Sequence, residues 1–144
     1  MNSDPKEANK EVEICKKNAN LLKGLSNKNI IKYVQIEISE SSSQVDVALE
    51  YIPPGSIRDL LEKYGKFNEI MIKIAVRQIV DALNYIHSKG ICHKNLKCSN
   101  LLVDYDLNIK LTDFGFLNNL PRDTKGMIMF KNSPCWTSPE VEIN

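Results

Sequence analysis

The sequence predicts an α+β fold, and three observations carry that reading. One early stretch is rich in β-branched residues, and a second alternates apolar with polar positions. Two later stretches repeat apolar residues at helical spacing between a capping Ser or Asn and a closing Gly. A run of very short apolar segments separated by polar turns then follows. Taken in order, the span 7–25 reads as a helix, with Val12, Cys15, Ala19 and Leu22 on one face. Ile30–Ile38 reads as a strand. In a second strand Val45, Val47, Leu49 and Tyr51 alternate with Asp46, Ala48 and Glu50, so one face is expected to be buried. Ser39–Ser43 between the two strands reads as a hairpin tip, and Pro53-Pro54-Gly55 breaks regular structure.

Ser56 is placed to cap a short helix carrying Ile57, Leu60, Leu61 and Tyr64, stopped by Gly65. Asn68 is placed to cap a longer one, in which Ile72, Val76, Ile79, Leu83 and Ile86 form a core stripe and Gly90 closes the end. Leu101–Val103, Asp104–Leu107 and Ile109–Leu111 read as short strands. No period is visible from Phe116 to Asn132, which reads as a long loop of the kind that is functional or disordered.

Composition narrows the function classes. With 19 Lys+Arg against 18 Asp+Glu over 144 residues, bulk charge gives no argument for nucleic acid or a membrane surface. No apolar run approaches the ~18 residues of a bilayer span, and the first ten residues lack a signal-peptide core. The four cysteines, Cys15, Cys92, Cys98 and Cys135, are spaced too irregularly for a zinc site or a disulfide framework. Reduced thiols in the cytoplasm, or the nucleus, are the expectation.

The chemistry-bearing residues lie in the second half. His93-Lys94-Asn95-Leu96-Lys97-Cys98-Ser99-Asn100 is followed by Asp113-Phe114-Gly115, and then by Ser138-Pro139-Glu140. This constellation resembles the eukaryotic protein-kinase signature set: a catalytic loop, a D-F-G magnesium motif and the end of an activation segment. Each motif alone is weak, but seven matches at set spacings have a chance rate of roughly one in 10^9 at ~1/20 per residue. Leu21-Leu22-Lys23-Gly24-Leu25 through Asn29-Ile30-Ile31-Lys32-Tyr33 is similar to the end of the family's C helix and the start of its fourth strand. Leu49-Glu50-Tyr51-Ile52 is similar to its gatekeeper and hinge. Gly55-Ser56-Ile57, Ile86-His87-Ser88-Lys89-Gly90 and Ser133-Pro134-Cys135-Trp136 follow the MAP-kinase-kinase-kinase group of serine/threonine kinases.

The resemblance implies a partial, protein-kinase-like bilobal fold running from the C helix through the fourth and fifth strands, hinge, D and E helices, catalytic loop and activation segment. Residues 1–50 would belong to the first lobe, 51–54 to the hinge and 55–144 to the start of the second lobe. It also implies ATP and Mg²⁺ as cofactors and a protein substrate, or another protein kinase, as partner. By resemblance Asn100 and Asp113 supply oxygen ligands to the metal, and Lys97 reaches the γ-phosphate. Glu50 and Ile52 meet the adenine edge with their backbone beside Leu49, and Leu102 forms an apolar floor. Leu22, Tyr33, His93 and Phe114 fall on the family's regulatory hydrophobic stack. His93 is read as a core histidine rather than a general base. Thr124, Ser133 and Thr137 are candidate phosphosites by position.

Four departures bear on activity. Asn95 stands at the position of the catalytic aspartate, and an amide cannot accept the substrate hydroxyl's proton. The six glycines never form G-x-G-x-x-G, and the lysine that belongs ahead of the C helix would precede Met1. Asn18 stands where the C-helix glutamate belongs. The chain ends just past the activation segment, so a domain truncated at both ends is expected. These departures predict catalytic impairment and nucleotide affinity no better than high micromolar, roughly −4 to −5 kcal/mol. Three alternatives stand beside one another: a non-catalytic interaction module, a piece of an active enzyme whose ends are missing from the sequence, and a non-functional remnant.

Overall fold

In a computed structural model of the chain, the described residues are 17, 19–39, 44–114 and 136. Residues 19–23 are helical, and the backbone leaves the helix at Gly24, whose N–H is donated to the Asn20 carbonyl at 3.1 Å. Of the face expected there, Ala19 and Leu22 are buried, and Val12 and Cys15 lie outside the described residues, as does Asn18 at the C-helix glutamate position.

The first strand, β1 (Tyr33–Ser39), pairs antiparallel with β2 (Gln44–Leu49), with a bulge between Tyr33 and Gln35. It starts three residues later than the Ile30–Ile38 expectation. Ile30 and Ile31 instead lie along Leu111: Ile31 N–H donates to the Leu111 carbonyl at 2.9 Å, and Leu111 N–H donates to the Asn29 carbonyl at 2.9 Å. The alternation predicted for β2 is only partly realised. Val47 is half-buried, but Leu49 is 39% and Tyr51 84% exposed, because Tyr51 lies beyond the last paired residue, where the chain leaves the sheet.

Both helix starts follow from their caps. Helix α1 (Ile57–Tyr64) opens with a reciprocal box in which the Ser56 hydroxyl receives the Asp59 N–H and the Asp59 carboxylate receives the Ser56 N–H at 2.7 Å. The Ser56 hydroxyl also donates to Asp59 Oδ2 at 2.7 Å, and this bond, with that of the Ser56 N–H, holds the Asp59 carboxyl below its ordinary pKa. Helix α2 (Glu69–Ser88) opens on Asn68, whose side-chain oxygen receives the Met71 N–H at 2.9 Å. Gly55, Gly65 and Gly90 all adopt positive φ, the conformations at which the chain turns into and out of these helices. The α2 stripe is buried only toward its C-terminal half: Ile86 is fully buried and Ile79 and Leu83 pack on the core, whereas Ile72 and Val76 are exposed, together with Ile70, Met71, Ile74 and Val80. Burial along α2 therefore follows contact with the strand of residues 109–111, not the apolar pattern alone.

A 3₁₀ turn at Cys98–Asn100 leads into β3 (Leu101–Val103), which pairs antiparallel with β4 (Ile109–Leu111). The expected strand at Asp104–Leu107 is instead the connecting turn. Asp104 closes it, its Oδ1 receiving the N–H groups of Asp106 at 2.9 Å and Asn108 at 2.8 Å, and Leu107 takes positive φ. Burial alone would raise the Asp104 carboxyl, but the Asn108, Asp106 and Lys110 partners outweigh it and hold the group low. Leu101, Val103, Ile109 and Leu111 face one core with Ile30, Ile31, Ile57, Ala82, Ile86 and Phe114. The hairpin tip at residues 40–43, the loop from Phe116, and Ser138-Pro139-Glu140 with the three candidate phosphosites lie outside the described residues.

Candidate functional site

The residues that sequence spacing singled out come together where the 3₁₀ turn meets the end of β4. Asn100 is buried, and its Nδ2 donates to the Asn95 carbonyl at 2.7 Å, so the opposite end of that amide is an oxygen. Thr112 N–H donates to the Asn100 carbonyl at 3.0 Å, which holds the strand leading to Asp113 against the turn. Asn95 Nδ2 in turn donates to Asp113 Oδ2 at 2.7 Å. Asn95, Asn100 and Asp113 are thus one hydrogen-bonded cluster, with Asp113 half-buried at φ 57 in the left-handed region. Lys97 is half-buried, in extended backbone directly ahead of the 3₁₀ turn.

Beneath this cluster lies a stack of rings. Phe114 is 1% exposed, with its centroid 4.8 Å from the His93 ring and 6.2 Å from Tyr33. His93 Nδ1 receives the Asn95 N–H at 3.2 Å, so its proton sits on Nε2, which donates to the Thr112 carbonyl at 3.0 Å. Burial pushes the imidazole below its ordinary pKa, against the opposing pull of the Thr112 carbonyl and the Asp113 charge. A buried, neutral, doubly bonded ring matches the expectation of a core histidine. Burial, reinforced by Asp113, pushes the Tyr33 hydroxyl up, and a hydrogen bond from Phe114 N–H opposes it. His93 and Tyr33 thus hold the backbone of Thr112 and Phe114, and Asn95 holds the Asp113 carboxylate between them. Leu22, the fourth residue expected on this stack, is also buried in the same core.

The segment expected to meet a purine edge is tied to the β3–β4 hairpin through Glu50 and, just beyond it, Gly55. Glu50 N–H donates to the Lys32 carbonyl at 3.0 Å, while Glu50 Oε1 receives Lys32 N–H at 2.8 Å and pairs with Lys110 Nζ at 2.9 Å. Lys110 is the cross-strand partner of Leu102, so the Leu102–Lys110 pair lies on the face of the hairpin from which Lys110 reaches Glu50. Ile52 is half-buried at the start of the turn to Gly55, whose carbonyl receives Val103 N–H at 2.9 Å.

Sequence reasoning missed a second amide cluster that anchors this layout. Asn29, 1% exposed, donates from Nδ2 to Gln78 Oε1 at 2.7 Å and to the Ile109 carbonyl at 2.9 Å. Gln78 Oε1 also receives the Ile109 N–H at 2.9 Å. The only available sequence signal was Gln78, a polar residue between Val76 and Ile79 on the apolar side of a helix.

An oxygen-only donor set, one carboxylate at Asp113 and one amide oxygen at Asn100, suits a hard divalent cation, which ordinarily completes its shell with water and phosphate oxygens. Among the described residues no group of three or more His, Cys, Asp or Glu side chains forms a self-sufficient metal cage.

Comparison with known proteins agrees with this layout. The protein kinase domain family model matches residues 1–142. Mitogen-activated protein kinase kinase kinase 3 of Arabidopsis thaliana is 41% identical over 87% of this chain and 20% of that protein. Mitogen-activated protein kinase kinase kinase A of Dictyostelium discoideum is 35% identical over 98% of this chain and 15% of that protein. Mitogen-activated protein kinase kinase kinase 3 of Homo sapiens is 34% identical over 96% of this chain and 22% of that protein. The chain thus spans about a fifth of the length of such relatives. Among solved structures, Rad53 residues 1–466, crystallised with AMP-PNP, superposes with a TM-score of 0.67 at 28% identity, covering 72% of this chain and 28% of that one. A matched family model over almost every residue, on a fold that gathers Asn95, Asn100 and Asp113 beside a buried His–Phe–Tyr stack, means that the chain belongs to the protein kinase domain family, on its serine/threonine, MAP-kinase-kinase-kinase-like side.

Proposed function

We propose that the chain forms the heart of a serine/threonine kinase-like nucleotide cleft in which phosphoryl transfer is impaired. The observation that carries this reading is the 2.7 Å hydrogen bond from Asn95 Nδ2 to Asp113 Oδ2. A carboxylate at position 95 would accept the proton of an acceptor hydroxyl; the amide there is a donor, and it is already engaged. General-base loss typically lowers turnover 10²–10⁴-fold, and a loose phosphoryl-transfer transition state leaves a slow residual rate.

In this reading residues 1–50 contribute to the first lobe, 51–54 form the hinge and 55–144 begin the second lobe. ATP is the nucleotide, and Mg²⁺ supplies charge neutralisation at the phosphates. Asp113 and Asn100 hold that cation through oxygen, Lys97 meets the γ-phosphate, and the Glu50 and Ile52 backbone meets the adenine edge above Leu102 with Leu49 beside it. The Glu50–Lys110 pair and the Gly55–Val103 hydrogen bond support the floor and the hinge turn. The partner is a protein: a substrate, or a kinase engaged without turnover.

The test is transfer of labelled γ-phosphate to a generic protein acceptor, comparing the chain with Asn95→Asp. Turnover of the wild type is expected at least 10²-fold below the variant. Equal, ordinary rates in both would overturn the impairment.

A further inference from the structure

Asn95 is more than a missing base, because its backbone N–H, its backbone carbonyl and its side-chain Nδ2 are all held in named hydrogen bonds. Its N–H is donated to His93 Nδ1 at 3.2 Å and its carbonyl receives Asn100 Nδ2 at 2.7 Å, so the residue is fixed from both sides. Its side-chain amide is thereby aimed at Asp113, donating to Oδ2 at 2.7 Å and lying 3.5 Å from the Asp113 carbonyl oxygen. Asp113 needs such support. A non-glycine residue at φ 57 occupies a sparsely populated region and persists only where its surroundings hold it there. A carboxylate in the place of this amide would put two oxygens at hydrogen-bond distance, where like charges repel unless a proton or a cation lies between them. The amide hydrogen already occupies that place.

We propose that Asn95 is a positioning residue that stands in for a divalent cation at Asp113, fixing the carboxylate and its left-handed backbone without metal. The inference rests on the reading of Asp113 as a cation ligand. It goes beyond that reading in assigning to the Asn95 amide the orienting role the cation would otherwise fill.

Amide hydrogen exchange across residues 112–114 tests this, on the intact chain with EDTA or with MgCl₂ and no nucleotide. Wild-type protection is expected to agree within twofold in the two conditions. In Asn95→Ala it is expected to fall at least tenfold in EDTA and to return with Mg²⁺. Asn95→Asp, which keeps the side-chain shape, should behave as Asn95→Ala does and serves if the alanine variant does not fold. Wild-type protection that rises tenfold with Mg²⁺ would overturn the proposal. So would variants as protected as the wild type in EDTA, or variants whose lost protection Mg²⁺ does not restore. Mn²⁺ binding, followed by electron paramagnetic resonance on the wild type, Asn95→Asp and Asp113→Asn, separates the two levels of failure. Binding that Asp113→Asn abolishes, with exchange unaffected by Asn95, sinks the positioning role alone; Mn²⁺ bound by none of the chains sinks the cation-ligand reading and the proposal with it.

Discussion

Replacing Asn29 with alanine should destabilise the chain far more than a polar-to-alanine change in a loop ordinarily does. The side chain is almost wholly buried and donates two hydrogen bonds, to Gln78 Oε1 at 2.7 Å and to the Ile109 carbonyl at 2.9 Å. A satisfied intramolecular hydrogen bond contributes about 1 kcal/mol net, and a buried acceptor left without a donor costs about 1–3 kcal/mol. Gln78 is half-buried and its Oε1 keeps the Ile109 N–H, so its loss is the smaller one. The Ile109 carbonyl bears most of the penalty. The sum is about 2–4 kcal/mol. At roughly 2–4 °C per kcal/mol for a chain of this size, Tm should fall by roughly 4–16 °C. Urea titration followed by circular dichroism gives the free energy directly, from a midpoint shift at constant slope. Gln78→Ala should cost a comparable amount, and the double variant less than the sum of the singles, because both remove the same bond. An Asn29→Ala chain within 0.5 kcal/mol of wild type would refute the claim that this amide pair ties α2 to the strand that leads to Asp113.

Two further outcomes follow from groups on the same elements. The folded state keeps His93 neutral, so below the ordinary histidine pKa the unfolded chain binds more protons and stability falls as the pH drops toward the lowered folded value. A His93→Gln variant should lose that slope between pH 7 and pH 5, and parallel Tm-versus-pH curves for the two chains would refute it. Ser56→Ala should remove the α1 capping box at a cost of about 1 kcal/mol, read by the same urea titration.

Much of the frame was legible because it rests on local chemistry. Ser56 and Asn68 start helices through bonds that reach only three residues ahead, and Gly65 and Gly90 end them at positive φ. The His93–Asn100 and Asp113 motifs fall together because the intervening hairpin is short enough to fold back upon itself. What escaped was either a side chain overriding the apolar pattern or a contact between distant residues. Asp104–Leu107 has the apolar and polar mixture of a strand, yet the Asp104 carboxylate gathers the backbone into a turn. Tyr51 continues an alternating pattern after the pairing has already stopped. Asn29 and Gln78 are separated by 49 residues, and neither carries a periodicity that would join them. For Asn95, substitution of the expected aspartate was plain in the sequence, but only three-dimensional placement shows the amide donating to Asp113.

The β3–β4 hairpin is a two-stranded ribbon with three residues on each side, too small to persist unaided in water. One margin is occupied by Gly55 and Ser56, the other by Asn29, Ile31 and the Gln78 amide. Neither margin offers a foreign strand a row of vacant backbone groups, so this apolar ribbon is shielded from templating fibrillar growth by the very contacts that keep it folded.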